Sequence, residues 1–306
     1  MNLTAQQIYN DLNSNDIREL ERTAKSKLAA LNKSSRVIKE EVFNILADNS
    51  IFLQYPVKDL ELCAFVCKKK DTIFSFVNSF IPLEKQIFAA AHELYHIWFE
   101  EDQLCNGEIL KTDVVDSIFG NLISQSEAKA NLFAAIFLVP KEVLLNELDY
   151  LKIKRSYFDS ENIKELKLLT PFVKLMNMFG VPYKAIVRRL YEVDYIEAET
   201  CVKLLGIPDR EEYSGVRLAQ KRLQIGEELQ LKTNIIRFEG LVNNAISAFE
   251  AGKISESKFK TLLSYARKTP EEFGYKLNSD QYSEEELLKL IGEDEELGEM
   301  ILEPRS

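Results

Sequence analysis

The chain has only two histidines. They are His92 and His96, and both fall in the run AAAHELYHIWFE. Four residues apart on a helix, two side chains lie one turn above the other and face the same way. The run predicts such a helix. Pro82 can open it, and Leu83, Ile87, Ala90, Ala91, Leu94 and Trp98 make a continuous apolar stripe patterned for burial. Scarcity also excludes. No site built from three imidazoles of one chain is possible, and any Ser-His or Cys-His device has to use one of these two.

Around this helix the pattern is mixed. Helices are predicted from Asp16 to about Leu31, where Asp16 and Glu19 have capping-box spacing, and over 36–48. Two strands, 62–67 and 72–78, flank the turn Lys68-Lys69-Lys70-Asp71 as an antiparallel hairpin, with a weaker strand near 51–53. A strong helix follows at 124–138 and stops at Pro140. Others are expected at 143–151, 163–179 (where Pro171 can split it) and 182–193, then at 215–229, 236–250, 256–267 and 283–291. The fold class is therefore α+β: a small antiparallel or mixed sheet packed on a helix pair, then a mostly helical C-terminal region. Three stretches are expected. Residues 1–140 hold the N-terminal helices, sheet and core, 141–205 a helical segment packed on it, and 206–306 a helical domain that starts where polarity rises after Gly206 and Pro208.

With 306 residues and 46% hydrophobic content, the chain can bury a sizeable core. Its net charge of -10, from 49 acidic and 39 basic residues, opposes direct nucleic-acid binding. No apolar stretch approaches the ~20 residues of a membrane span, and the N-terminus lacks a secretory pattern. The four cysteines, irregularly spaced, suit a reducing, cytoplasmic setting.

His92-Glu93-Leu94-Tyr95-His96 is an HExxH sequence. The two imidazoles can share one ion, and zinc suits them because it polarises a carbonyl and activates water without redox chemistry. Glu93, beside the first ligand, can take the proton of a zinc-bound water as it attacks a peptide carbonyl and return it to the leaving nitrogen. The third ligand cannot be histidine. Glu127 is the preferred candidate, because it sits on the apolar 124–138 helix, where Ala128, Ala130, Ala134 and Ala135 permit close approach and a rigid element holds a ligand well. Glu100, Glu101, Asp102, Asp113 and Asp116 are rivals. Asn131, four residues after Glu127, can brace that carboxylate or a histidine. Tyr183, Arg188 or Tyr191 is a candidate for stabilising the oxyanion.

HELYH followed by EAKANLFAAIFLVP resembles the paired motifs HExxH and ExxANxFAxxLLxP of the ImmA/IrrE-type metallo-endopeptidases. The resemblance spans about residues 40–195. It implies that His92, His96 and Glu127 bind one zinc ion and that Glu93 is the general base. It further implies a protein substrate, typically a helix-turn-helix transcriptional repressor cut in an exposed segment. Tyr95 stands where that family commonly has Gly, and the family's frequent Arg ahead of the helix is not evident. Residues after 206 match no signature of it.

Two other readings stay beside this one. In the first, the zinc is structural or the site dormant, and the protein binds its partner without cutting. In the second, MNMFGVPYKAIVRRL, with a turn at Gly180 and basic Arg188 and Arg189, is a helix-turn-helix DNA reader. Acidic Glu192, Asp194 and Glu197 follow it and repel phosphate.

Overall fold

In the computed structural model, the described residues are 12, 14–34, 36–104, 125–158, 165–209, 211–238 and 240–276. The chain divides into two compact units, residues 1–239 and 240–306. The division falls well after the polarity change near residue 206.

The first unit is organised on a four-stranded mixed sheet. Helices α1 (Ser14–Ala30) and α2 (Glu41–Asn49) lead into strand β1 (Ile51–Tyr55), followed by β2 (Ala64–Lys69) and β3 (Thr72–Asn78). A short β4 (Arg237–Phe238) completes the order β2-β3-β1-β4. β2 and β3 form the expected antiparallel hairpin, with Phe65 opposite Phe76. The weakly marked segment at 51–53 is a full strand, parallel to β3, and this makes the sheet mixed. Helix α2 starts at Glu41 rather than near 36, because the chain turns at Lys39, whose φ is 46°.

Helix α3 (Leu83–Phe99) carries the histidines and packs across the sheet. Pro82 precedes its first turn. That turn is laced to the end of the unit. The Leu83 N–H donates to the Leu231 carbonyl at 3.1 Å, and the Thr233 hydroxyl donates to Gln86 Oε1 at 3.1 Å. Gln54 of β1 donates to the same oxygen at 2.8 Å, so β1, α3 and residues 231–235 share one buried amide. Residues 206–238 thus complete the first unit.

Helix α4 (Gln125–Leu138) lies against α3, and fully buried Ala130 and Ala134 permit the approach. Phe133 and Phe137 stack with centroids 5.5 Å apart, and Trp98 meets Phe133 edge-on at 5.9 Å. Helices α5 (Lys141–Tyr150), α6 (Glu165–Phe179), α7 (Tyr183–Glu192), α8 (Ala198–Leu205) and α9 (Gly215–Leu223) follow. Pro171 does not split α6. Burying Leu169, Phe172, Val173 and Leu175 around it offsets the roughly 3 kcal/mol that an interior proline costs. Gly180, at φ +68°, ends α6, and a β-carbon there would stand 3.1 Å from Ile87 Cδ1 of α3. α8 has no counterpart in the sequence expectations. The helix expected over 215–229 ends at Leu223, after which Gln224 turns left-handed at φ 54°.

The second unit holds α10 (Leu241–Glu250), α11 (Glu256–Tyr265) and a 3-10 turn at Pro270–Phe273, around Ala245, Phe259 and Leu263. Its Phe249 and Phe259 rings stack at 4.4 Å. The helix expected over 236–250 is here a strand residue pair and α10. The helix expected at 283–291 and the acidic tail lie outside the described residues. No helix among the described residues is long and apolar enough to cross a membrane.

Candidate metal centre

His92 and His96 point inward from α3 and are 0% and 1% exposed. Their Nε2 atoms stand 3.1 Å apart. From α4, Glu127 brings one carboxylate oxygen to 3.1 Å from His92 Nε2 and the other to 3.5 Å from His96 Nε2. One ligand atom from each of the three residues lies within 4.8 Å of the others. Glu127 is the least enclosed of the three, with 22% of its side chain exposed.

The outer nitrogens of both rings are committed. His92 Nδ1–H donates to Asn131 Oδ1 at 3.0 Å, and His96 Nδ1–H donates to Glu100 Oε2 at 2.7 Å. Each partner fixes the tautomer that leaves an Nε2 lone pair facing inward. Two lone pairs and a carboxylate held this close repel one another unless a cation lies among them. The spacing suits zinc. Bonds of about 2.0–2.1 Å in a tetrahedron set ligand atoms about 3.3–3.4 Å apart, which the 3.1 and 3.5 Å separations bracket.

Both carboxylates are held below the ordinary range by their neighbours. Burial pushes Glu127 upward, but its place against the two imidazoles outweighs it and holds the group below the ordinary carboxylate range. Glu100 is likewise pushed up by burial and pulled further down by His96, Ser126 and Tyr95. The Tyr95 hydroxyl is driven upward, first by burial and then by the Glu100 charge and hydrogen bond.

The structure sorts the rival ligands. Glu100 reaches the outer nitrogen of His96 and accepts from the Ser126 hydroxyl, so it braces the ring from behind. Its i,i+4 spacing from His96 was a readable signal for this. Ser126 carried none. Glu101 is paired with Lys68 of β2 at 2.7 Å, and Asp102 is exposed. Asp113 and Asp116 lie outside the described residues. Asn131 braces His92.

The oxyanion candidates are placed elsewhere. The Tyr183 hydroxyl donates to the Leu204 carbonyl of α8, and burial pushes the Arg188 guanidinium down to about 10 and the Tyr191 hydroxyl upward. The DNA-reading segment is interior. Phe172, Leu175, Ile186 and Leu190 are buried, and Arg189 is 1% exposed. No helix of that pair is free to enter a groove.

Glu93 follows His92 on α3 and is 1% exposed. A small mixed sheet crossed by a helix bearing two imidazoles, with a carboxylate from the next helix, is an arrangement of the metallopeptidase type. Residues 61–191 match the family model described as the IrrE N-terminal-like domain, a peptidase family. This stretch, less than half of the chain, is therefore an ImmA/IrrE-type domain, and all four motif residues fall inside it. No curated protein matches the chain.

Proposed function

We propose that this protein is a zinc-dependent endopeptidase that hydrolyses one peptide bond in a protein partner, a helix-turn-helix transcriptional repressor. The convergence of His92, His96 and Glu127 beside buried Glu93 carries this reading. Zinc, when bound, supplies a Lewis acid that polarises the scissile carbonyl and makes water acidic. The chain's own groups do the rest. Glu93 takes the proton from the attacking water at its carboxylate and delivers it to the leaving nitrogen. Asn131 and Glu100 keep the imidazoles turned toward the ion.

An extended segment of the partner can add to the sheet at β2, which has β3 on one side and, among the described residues, no strand on the other. The Lys68–Glu101 pair sets this strand beside the C-terminal end of α3. A site built only to hold an ion has no chemical need for Glu93, and this favours hydrolysis over a dormant role. The setting is cytoplasmic, where such regulators act.

The test is co-expression with a neighbouring helix-turn-helix regulator, comparing wild type with Glu93→Gln by intact mass and zinc content. Fragments should appear with the wild type only, with zinc stoichiometric in both. Cleavage that persists undiminished in the zinc-loaded variant rejects the mechanism. A partner bound but intact with both proteins supports the non-cleaving reading.

A further inference from the structure

A cavity of about 570 Å³ lies between α1, the α4–α5 junction and α7, on a different set of side chains from the metal centre. We propose that it binds a phosphorylated small molecule of mononucleotide size.

The argument begins with charge. Arg18, Arg22, Lys25, Lys141 and Arg189 line the cavity, against two acids, Glu21 and Glu142. This surplus of three cations stands in a chain whose net charge is -10. The acids are already engaged. Glu142 holds Lys25 at 3.1 Å, and Glu21 lies 3.9 Å from Arg189. Arg189 is fixed in the wall, with Nε donating to the Val139 carbonyl at 2.9 Å and Nη1 to Glu192 at 2.9 Å. Burial pushes its guanidinium down to about 10, which leaves it charged at neutral pH.

Among the described residues, Arg18, Arg22 and Lys141 have no acidic partner. Arg18 and Arg22 are one turn apart on α1, a like-charge spacing that costs a helix a few tenths of a kcal/mol. Lys141 adds a third cation from another element. An anion between these elements removes the repulsion and accepts charge-assisted hydrogen bonds from both sides.

The floor is of another character. Leu28, Ile136 and Pro140 are buried apolar residues that line the same cavity. A bare inorganic anion would leave that surface unused, whereas a ligand with a flat apolar body and a phosphate tail would cover the floor and meet the cations. The volume falls within the range of ordinary small-molecule sites. A concave site of this size suits such a molecule better than an extended acidic peptide, which would track the surface.

The experiment is isothermal titration of the full-length protein with AMP, adenosine, inorganic phosphate and decaglutamate, in wild type and in the Arg18→Ala/Arg22→Ala double variant. Both substitutions are at exposed positions on α1, so the fold is retained, as circular dichroism will verify. AMP should bind to one site, and adenosine or phosphate alone at least tenfold more weakly. The double variant should lose tenfold or more for AMP, the scale of a lost charged hydrogen bond. Lys141→Ala, on the opposite wall, should weaken AMP in the same direction. The proposal is overturned by AMP affinity unchanged in these variants, or by no binding of AMP at concentrations up to about 1 mM. Tight binding of decaglutamate that AMP does not displace overturns it in favour of an acidic peptide surface.

Discussion

Glu100 and Glu127 are both carboxylates within reach of His96, and replacing each with alanine should separate their roles by size of effect. Glu127 meets the inward nitrogens at 3.1 and 3.5 Å, whereas Glu100 meets the outward Nδ1 at 2.7 Å. Losing Glu100 removes one charge-assisted hydrogen bond to a ring that is 1% exposed. Such a bond contributes about 1.5–3 kcal/mol, which predicts zinc binding about 10- to 150-fold weaker. This agrees with the 10–100-fold cost usual for residues that support a metal ligand from behind. Losing Glu127 removes one of three ligand groups and should exceed that range. Glu100→Gln keeps an acceptor oxygen without the charge and should fall between wild type and Glu100→Ala. Competition with a chromophoric chelator measures all three affinities, with circular dichroism verifying the fold. Equal losses for Glu100→Ala and Glu127→Ala would refute the division into ligand and brace. A Glu100→Ala affinity within twofold of wild type would show that the His96 contact does not orient the ring.

Three further outcomes are expected. Gly180→Ala forces a left-handed conformation costing about 1–2 kcal/mol and pushes a β-carbon toward Ile87; its melting temperature should fall while zinc stoichiometry holds. Arg189→Leu leaves the Val139 carbonyl and the buried Glu192 carboxyl, itself pushed up to about 8 by burial, without their donor; chemical denaturation should show a loss of about 1–3 kcal/mol. Glu84, buried at the start of α3 and accepting from Gln230, is pushed up to about 8 mainly by burial. The folded state then holds a proton that the unfolded chain releases above about 4.5, so stability falls as pH rises from there to about 8. Glu84→Gln should flatten this slope, gaining about 1.4 kcal/mol or more at pH 8, and a Tm-against-pH series with unchanged slope would contradict it.

How much of this was legible follows from the range of each signal. The histidine pair and Glu93 share one patterned helix, and Glu127 sits on an apolar, alanine-rich helix whose motif pairs with theirs, so this much could be read without coordinates. β1 is five residues long, and its partner is the second strand after it, so neither its length nor its parallel pairing is written locally. Helix α8 has eight residues and follows an acidic stretch that reads as loop. Its anchors Cys201, Leu204 and Leu205 matter only once α7 is there to receive them. The Thr233–Gln86 contact joins residues 147 apart, and no pattern in a window of ordinary length predicts it. Glu100, a rival to Glu127 by residue type, meets His96 at the outer nitrogen of the ring. A residue four positions after His96 meets the nitrogen that faces along the helix, while, among the described residues, the carboxylate that faces both inner nitrogens comes from α4.

The same geometry couples metal to folding. α3 and α4 bury two imidazoles and most of a carboxylate with their electron-rich atoms facing one another, an arrangement that opposes the packing of those helices until a cation joins it. An ion that binds the folded site and not the unfolded chain stabilises by RT ln(1 + [L]/Kd), about 2.7 kcal/mol at one hundred times Kd. Adding zinc to chelator-treated protein should therefore raise the unfolding temperature in proportion to the logarithm of free zinc. Glu93→Gln should retain the full increment, because Glu93 is assigned to the proton and not to the ion. Glu127→Ala should lose most of it, yet unfold near the temperature of the zinc-free wild type, because the mutation also removes the carboxylate that the two imidazoles face. An increment in Glu127→Ala as large as in wild type would mean that the ion is held by a different third group, and the pairing of α3 with α4 would then have to be explained by the Phe133, Phe137 and Trp98 cluster alone.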